Sequence, residues 1–266
     1  MSVELVGQFQ LRNRVMQLVD NNSFPRTSLL LGPSGQGKRT VAYWIAEKLG
    51  AEVYLPPDNK VDSIREIINH SRTLSVPTLY LLSGGEDMTV QAQNSLLKLA
   101  EEPPENAYIV VTALDDEAIL PTILSRSVKL RMNPYTSAEL EQFTDDKVIL
   151  EVATNPGEVQ RLSSIPLDNM LAHADKVVAN IGLISASNAF NILKGINKEN
   201  HMQFLSILEY AYGAHVRAGN ICTQQLRVLS DTKQLLNSSK SINKQNALEM
   251  MFVRLREVAR NELPRT

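Results

Sequence analysis

Short apolar runs alternate with helix-like segments through the first half of the chain, and this alternation limits the possible folds more than any other feature. Ser28–Leu31, Thr78–Leu82 and Tyr108–Thr112 are apolar runs, Val128–Arg131 reads as a fourth strand, and Ala51–Leu55 is a further candidate. Strands buried on both faces read as continuous apolar runs and are joined by helical crossovers. The pattern therefore predicts an α/β fold with a parallel sheet covered by helices on both faces.

The second half of the chain has a different pattern, without strand alternation after Pro166. Thr136 and Glu139 have the spacing of a capping box and predict a helix from Ser137 to Phe143. Further helices are predicted at residues 167–181, 185–193, 201–218, 221–236 and 244–261. We expect three parts: an α/β domain over residues 1–133, a short helical lid over 134–165 and an all-helical domain over 166–266.

Composition excludes several classes of protein. A chain of 266 residues with 43% hydrophobic and 21% charged residues can bury a sizeable core, which excludes disorder. A net charge of −2 argues against a protein that grips nucleic acid by bulk charge. No apolar run approaches the ~20 residues of a membrane-spanning helix. The single Cys222 excludes an internal disulfide and a cysteine-based zinc site, so a cytoplasmic location is expected.

A phosphate-binding loop is indicated between the first predicted strand and the helix over 38–49. The loop consists of Gly32, Pro33, Ser34, Gly35, Gln36, Gly37 and Lys38. Its amides and the helix N-terminus would hold phosphate oxygens, and Lys38 would reach the outer phosphates. The Ser or Thr that normally ligates Mg²⁺ is replaced by Arg39, and Thr40 is turned ~100° around the helix. The alternative is a glycine-rich turn that binds no ligand.

The acidic residues that a nucleotide hydrolase needs are absent from the tip of the next core strand. Such an enzyme places an Asp there for Mg²⁺ and a Glu beside it for the attacking water. Here the strand ends in Ser83 and Gly84, and the nearest acids are Glu86 and Asp87. A shifted register could bring these two acids into the role, but we favour solvated loop charges. Hydrolysis by this site alone is not expected.

The sequence resembles the clamp-loader branch of the AAA+ ATPases, most closely the delta-prime subunits of bacterial DNA polymerase III. The stretch Met88–Pro104 is similar to the signature "MTxxAQNALLKxLEEPP" of that family, with Ala100 at a usual Leu. Ile119–Ser127 is similar to "ILPTILSRC", with Ser127 in place of the Cys. Further matches are Val6–Gln8, Val61–Glu66, Asn155–Gly157 and Asn243–Leu255. The resemblance spans nearly the whole chain and is weaker in the second half.

The resemblance implies a RecA-like AAA+ domain, a helical lid and a helical collar that holds subunits in a hetero-pentameric ring. It also implies a non-hydrolysing stator subunit, whose Arg126 projects as a trans arginine finger into a neighbouring subunit's ATP site. A guanidinium suits this role because it stays charged and can fork onto phosphate oxygens. The implied partners are the other clamp-loader subunits, a sliding clamp and, through the complex, primed DNA, without a membrane. No zinc is expected, and ATP or ADP is at most bound passively.

Three alternatives remain open at the level of sequence. Arg126 could be an ordinary surface arginine in a salt bridge that ends a helix. The chain could be a gamma/tau-like motor subunit that hydrolyses ATP with unusual motifs, in which case loss of Lys38 would abolish turnover. It could also be a non-catalytic AAA+-derived adaptor outside replication. The signature around Gln91–Pro104 makes the adaptor the weaker alternative.

Overall fold

The chain folds into an α/β part followed by helices, in a computed structural model that describes residues 3–73, 75–183, 200–219, 222–238 and 243–262. The strands are β1 (Thr27–Leu31), β2 (Glu52–Tyr54), β3 (Thr78–Ser83), β4 (Ala107–Ala113) and β5 (Val128–Arg131). They form one sheet in the order β2-β3-β4-β1-β5, and all neighbours in it are parallel. The predicted α/β class and parallel sheet are confirmed, and the candidate strand at 51–55 is β2.

Helices connect the strands and cover the sheet. Those of the first part are α1 (Phe9–Asp20), α2 (Lys38–Leu49), α3 (Val61–Ser71), α4 (Val90–Glu101), α5 (Pro121–Leu124) and α6 (Ser137–Leu140). A 3₁₀ turn spans Gly85–Asp87. The helix predicted to end at Phe143 ends at Leu140, and residues 141–143 form turns. The predicted capping box is confirmed: Thr136 Oγ1 accepts from the Glu139 amide at 3.3 Å and Glu139 Oε2 from the Thr136 amide at 2.7 Å.

The central strands are buried on both faces, as their composition predicts. All five residues of β1 are buried. Leu29 and Leu31 point to one face and pack in a cluster with Tyr80 and Leu82, while Leu30 points to the other face. Burial of both faces makes β1 the centre of the core, and it places the segment that follows β1 at the carboxyl edge of the sheet.

The later part of the described chain is helical. Its helices are α7 (Lys147–Val152), α8 (Pro156–Ser163), α9 (Leu167–Asn180), α10 (His201–Arg217), α11 (Thr223–Ser238) and α12 (Lys244–Glu262). These confirm the predicted helices at 167–181, 201–218, 221–236 and 244–261 to within a few residues. The helix predicted at 185–193 lies outside the described residues. Within the described ranges no helix is both long and apolar enough to cross a membrane.

Two compact units can be separated by their internal contacts. One comprises Met1–Asp145 with Thr154–Glu158, and the other comprises Asp146–Ala153 with Val159–Thr266. The sheet and the start of α8 thus belong to the same unit. The division into an α/β domain, a lid and a collar stays a prediction.

Candidate functional site

The predicted phosphate loop leaves the end of β1 at the carboxyl edge of the sheet and enters α2 at Lys38. Gly35 and Gly37 have φ angles of +86° and +84°, a region that glycine enters without steric cost. Gly32 has no such angle, but a Cβ there would lie 2.8 Å from Cβ of Met132. Each of the three glycines therefore has a structural reason, and the strand-loop-helix context that the motif requires is present.

The ammonium group of Lys38 lies across the loop. It donates to the carbonyl oxygens of Gly32 and Pro33, the latter at 2.9 Å. An ammonium has three donors, so one N–H remains for a phosphate oxygen. Partial burial lowers the pKa of Lys38, because desolvation penalises the charged form, and the negative charge of Glu86 opposes this shift. The loop and Lys38 together fit the phosphates of a nucleotide.

The two residues after Lys38 do not supply a magnesium ligand at the usual position. The side chain of Arg39 is exposed and turns along α2, where its guanidinium lies 5.7 Å from the ring centre of Tyr43 and donates to the hydroxyl at 3.4 Å. Thr40 is exposed one position further around the helix. Among the residues that the structure describes, no three His, Cys, Asp or Glu side chains cluster as a metal site. The donor set at the loop therefore does not fit a Mg²⁺ ion held through position 39.

The tip of β3 is a turn shaped by glycines. Gly84 has a φ angle of +78°, which disfavours any residue with a Cβ. A Cβ on Gly85 would lie 2.9 Å from Val111 Cγ1 and from Ile119 Cδ1. The exposed Ser83 precedes this turn. Close packing at Gly85 and the backbone geometry at Gly84 shape this tip. An acid at position 84 would strain the turn.

Glu86 corrects an expectation from the sequence. We interpreted Glu86 and Asp87 as solvated loop charges, and Asp87 is exposed. Glu86 is half-buried instead: its Oε2 accepts from the Leu114 amide at 3.3 Å, and its charge opposes the lowering of the pKa of Lys38 by burial. The 3₁₀ turn after β3 carries this carboxylate toward the end of β4. One acid therefore does lie near the phosphate loop, although it is not at the strand tip.

The start of α8 closes on the phosphate loop, a contact that the sequence did not reveal. The Gly157 amide donates to the Gly35 carbonyl at 2.9 Å. A Cβ on Gly157 would lie 2.5 Å from Cα of Gly35, so the two backbones are in direct contact. Asn155 caps α8 by accepting from the Glu158 amide at 3.0 Å, and its amide oxygen lies against Gly35. The sequence indicated the turn Asn155–Gly157, but it did not predict that this turn contacts Gly35.

The segment before α1 also contacts the loop region. Gln8 is buried at a φ angle of +56° and forms two hydrogen bonds to the backbone of Asn133, at 2.7 and 2.8 Å. Nearby, the Tyr135 hydroxyl donates to the Gln36 carbonyl at 3.2 Å. Burial raises the pKa of Tyr135. These bonds tie the N-terminal segment, the end of the sheet and the loop into one structure.

Arg126 lies just after α5, and a buried glutamine fixes the approach to that helix. Gln93 of α4 is buried, donates to the Ala118 carbonyl at 2.9 Å and accepts from the Leu120 amide at 2.8 Å. Pro121 then opens α5 at its first position, where proline is favoured. The signature stretch of the sequence thus positions the segment that carries Arg126.

The side chain of Arg126 is 41% exposed and is held by residues of its own chain. It pairs with Glu101 at 3.0 Å, donates to the Thr122 carbonyl at 3.1 Å and contacts the Ser125 hydroxyl at 3.3 Å. The alternative interpretation of Arg126, a salt bridge at a helix end, is therefore part of what the structure contains. A trans role is compatible with this geometry because the guanidinium is accessible.

The strand register separates Arg126 from the phosphate loop. Val128 lies opposite Ser28 and Arg131 lies opposite Leu31, so β5 and β1 run side by side. Arg126 precedes β5, whereas the loop follows β1. In this register Arg126 is level with residue 26, about six residues before the start of the loop at Gly32. At ~3.3 Å per residue, Arg126 lies roughly 20 Å from the loop, at the edge of the sheet formed by the amino ends of the strands. One arginine side chain cannot cover that distance, so Arg126 cannot act on phosphates bound to its own loop.

Comparisons with known proteins agree with the resemblance of the motifs. Residues 56–136 match the family model described as "DNA polymerase III, delta subunit". An uncharacterised protein of Mycoplasma pneumoniae is 38% identical over 88 residues, which are 33% of this chain and 35% of that protein. A DNA polymerase III subunit gamma of Buchnera aphidicola is 23% identical over 90% of this chain and 79% of its own length.

A further relative and two solved structures are also similar to this chain. A replication factor C small subunit of Pyrobaculum islandicum is 28% identical over 49% of this chain and 45% of its own length, so the chain spans less than half of that relative. A solved DNA polymerase III gamma subunit-related protein of Thermotoga maritima has a TM-score of 0.56 at 16% identity, over 93% of this chain and 99% of that one. A RuvB variant of the same organism has a TM-score of 0.50 at 17% identity, over 64% and 66%. These structures show the fold.

Proposed function

We propose that this chain is a clamp-loader subunit of the AAA+ type, and within that family a delta-prime-like, non-hydrolysing subunit that offers Arg126 to the ATP of a neighbouring subunit. The observation that carries the proposal is that the phosphate loop and Arg126 lie at opposite ends of the strands of one sheet. The phosphate loop lacks its magnesium ligand and its strand-tip acids, while an accessible arginine lies near the other edge.

The incomplete loop supports the absence of hydrolysis by this chain. Hydrolysis needs Mg²⁺ to neutralise the developing charge and a fixed carboxylate to orient the attacking water. The side chain of Arg39 lies along α2 and cannot ligate the metal. The positive φ angle of Gly84 disfavours an acidic side chain at the tip of β3. Lys38 and the loop amides can still hold the phosphates of ATP or ADP passively, because the third donor of Lys38 remains. The chain then binds a nucleotide without turning it over.

The position of Arg126 supports action in trans. Its guanidinium is too far from its own loop, yet it is exposed enough to enter a site on another molecule. A trans arginine that meets a transferring phosphoryl group stabilises the charge of the transition state. In this proposal the partner is an ATPase subunit of the same ring.

The remaining assignments follow from the proposed family role. The helices after residue 166 would form the collar of a hetero-pentamer, and residues 134–165 would form the lid. The complex, rather than this chain, would open a sliding clamp and place it on primed DNA. The net charge of −2 agrees with a subunit that meets DNA as part of an assembly.

ATP turnover by reconstituted clamp-loader ATPase subunits tests the proposal. The expected result is no turnover by this chain alone, stimulation of the ATPase subunits by the wild-type chain, and loss of that stimulation with Arg126→Ala. Arg65→Ala is the matched control, because Arg65 is also exposed and paired, with Asp62 at 3.2 Å. Stimulation that survives Arg126→Ala would remove the trans role.

A motor subunit with its own activity is the second candidate, and one observation favours it. The charge of Glu86 opposes the lowering of the pKa of Lys38, so a carboxylate lies within electrostatic range of the loop lysine. If Glu86 orients a water, the isolated chain will hydrolyse ATP, and Glu86→Gln and Lys38→Ala will each abolish this. Robust turnover with this sensitivity would replace the first proposal.

A further inference from the structure

Glu101 is in an unusual position for an acidic residue. It is the last residue of α4, where the helix macrodipole presents partial negative charge and disfavours a carboxylate. Lys98 in the same turn has the charge that a helix end favours. Glu101 therefore needs a compensating cation, and the structure provides Arg126 at 3.0 Å.

The guanidinium of Arg126 is largely occupied by these contacts. Nη2 bonds to Glu101, and Nη1 bonds to the Thr122 carbonyl and the Ser125 hydroxyl. An arginine has five N–H donors, so three bonds leave two for any other acceptor. Both donors of Nη1 are occupied, so a phosphate that forks onto the two Nη atoms must displace at least one of the present partners.

Charge decides which partner is displaced. The Thr122 carbonyl and the Ser125 hydroxyl are neutral, whereas Glu101 is a carboxylate that would face an arriving phosphate with like charge. The pair is also half-exposed, with side-chain exposures of 41% and 49%, so water can solvate the released carboxylate. The Glu101 bond is therefore the one that opens when Arg126 engages an anion.

We propose that Glu101 is a positioning residue that restrains Arg126 and competes with the triphosphate of the neighbouring subunit for it. The inference rests on the proposed trans role and adds its regulation. A terminal phosphate carries more negative charge than one carboxylate and wins the guanidinium. Without a γ-phosphate in the neighbouring site, Arg126 stays on Glu101 and that site is not completed.

The test is a binding measurement with the full chain and the clamp-loader ATPase subunits, in ADP and in a non-hydrolysable ATP analogue. Glu101→Gln removes the competing charge and keeps the shape of the side chain. We expect it to tighten binding in the ATP analogue by roughly 1.4- to 5-fold, the range for an exposed ion pair, and to leave binding in ADP unchanged. Glu102→Gln is the matched control, since it removes the same charge from the next, exposed residue and should change neither value.

Two further variants separate restraint from a merely structural role. Glu101→Asp keeps the charge and should return the ATP-analogue affinity toward that of the wild type. Glu101→Gln combined with Arg126→Ala should bind like Arg126→Ala alone, because the restraint acts only through Arg126. In turnover assays Glu101→Gln should lower the concentration of this chain that gives half-maximal stimulation, with the maximal rate unchanged.

Opposite results would overturn the inference in distinguishable ways. Weaker binding by Glu101→Gln in the ATP analogue would mean that Glu101 orients Arg126 for the phosphate, and an unchanged value would mean that it has no part. Either outcome leaves the trans role intact if Arg126→Ala still abolishes stimulation. If Arg126→Ala has no effect on stimulation, the proposed function fails, and the restraint fails with it.

Discussion

The two edges of the sheet differ in how their geometry is held. At the carboxyl edge, the phosphate loop depends on backbone: Gly35 at a φ angle of +86°, and its direct contact with Gly157 of the turn that opens α8. Near the other edge, three polar contacts of its own exposed side chain hold the guanidinium of Arg126 in place. Damage to the first region should appear as lost stability and lost nucleotide binding, whereas damage to the second should appear only as lost activity of a neighbour.

This difference would let a chain lose hydrolysis, as we propose for this one, and keep its fold. The loop glycines and the Gly157 contact are part of the packing of the first unit, so they persist whether or not a nucleotide is turned over. The position after Lys38 that would ligate the metal is an exposed side chain, and Arg39 stands there in place of the hydroxyl. Structure and chemistry at this edge can therefore change separately.

The largest expected effect is that of Arg126 substitutions on the turnover of neighbouring ATPase subunits. Arg126→Ala should remove the ~10³- to 10⁵-fold that a trans arginine contributes. Arg126→Lys should restore only part of it, because an ammonium keeps the charge but cannot fork onto two oxygens. Thermal unfolding of the chain should change little with either variant, since the residue is exposed. A large loss of stability would place Arg126 in the same class as the loop.

Lys38→Met comes next and acts on the other edge. Removal of a charged donor from a phosphate should weaken ATP or ADP binding by about 10- to 150-fold, corresponding to roughly 1.5–3 kcal/mol. Stimulation of neighbouring subunits should stay as in the wild type, because Arg126 lies roughly 20 Å away. Nucleotide binding by the isolated chain and turnover in the reconstituted complex measure the two effects. If both quantities fall together, the two edges are coupled.

Gly157→Ala tests the backbone contact at the loop. The added Cβ would lie 2.5 Å from Gly35 Cα, and relief of such overpacking costs about 1–3 kcal/mol. Trp44, the single tryptophan, is buried in the same unit and reports its unfolding by fluorescence. Gly213→Ala is the control: in α10 the nearest atom to its Cβ is Arg217 Nη1 at 3.6 Å, so the helix should gain up to ~1 kcal/mol. A wild-type Trp44 transition in Gly157→Ala would show that the contact does not hold the loop.

Much of the fold could be predicted because each signal is local. The apolar runs predicted the strands, and Thr136 with Glu139 predicted the start of α6. Helices α1 and α3 were missed because their first turns lack a side-chain cap: Gln8 and Lys60 form no capping bond. Packing of the apolar face stabilises these helices, and single-residue start signals do not reveal it.

In the candidate site, too, the local features could be predicted and the long-range contacts could not. Lys38 and the loop glycines were identified because the motif is contiguous in sequence. The effect of the Glu86 charge on Lys38 and the contact of Gly157 with Gly35 join segments far apart in the chain, and no spacing rule predicts such pairs. The expectation for Glu86 failed because its carboxylate, in a 3₁₀ turn that the sequence did not predict, accepts a bond from the Leu114 amide.

The smallest effect concerns charge on β5, the strand that follows Arg126. Lys129 and Arg131 both contact Asp116, at 2.6 and 2.9 Å, and the Lys129 hydrogen bond is the largest cause that lowers the pKa of Asp116 to about 2 from 3.8. A lowered carboxyl pKa contributes stability that is present above pH 3.8 and is lost as pH falls through about 2.

Lys129→Met should raise the pKa of Asp116 toward 3.8, and Arg131→Met should raise it less, as measured by carboxyl carbon NMR titration. Neither variant should alter nucleotide binding at the loop, because β5 changes only in side-chain charge. An equal or larger rise with Arg131→Met would reverse the order of the two cations.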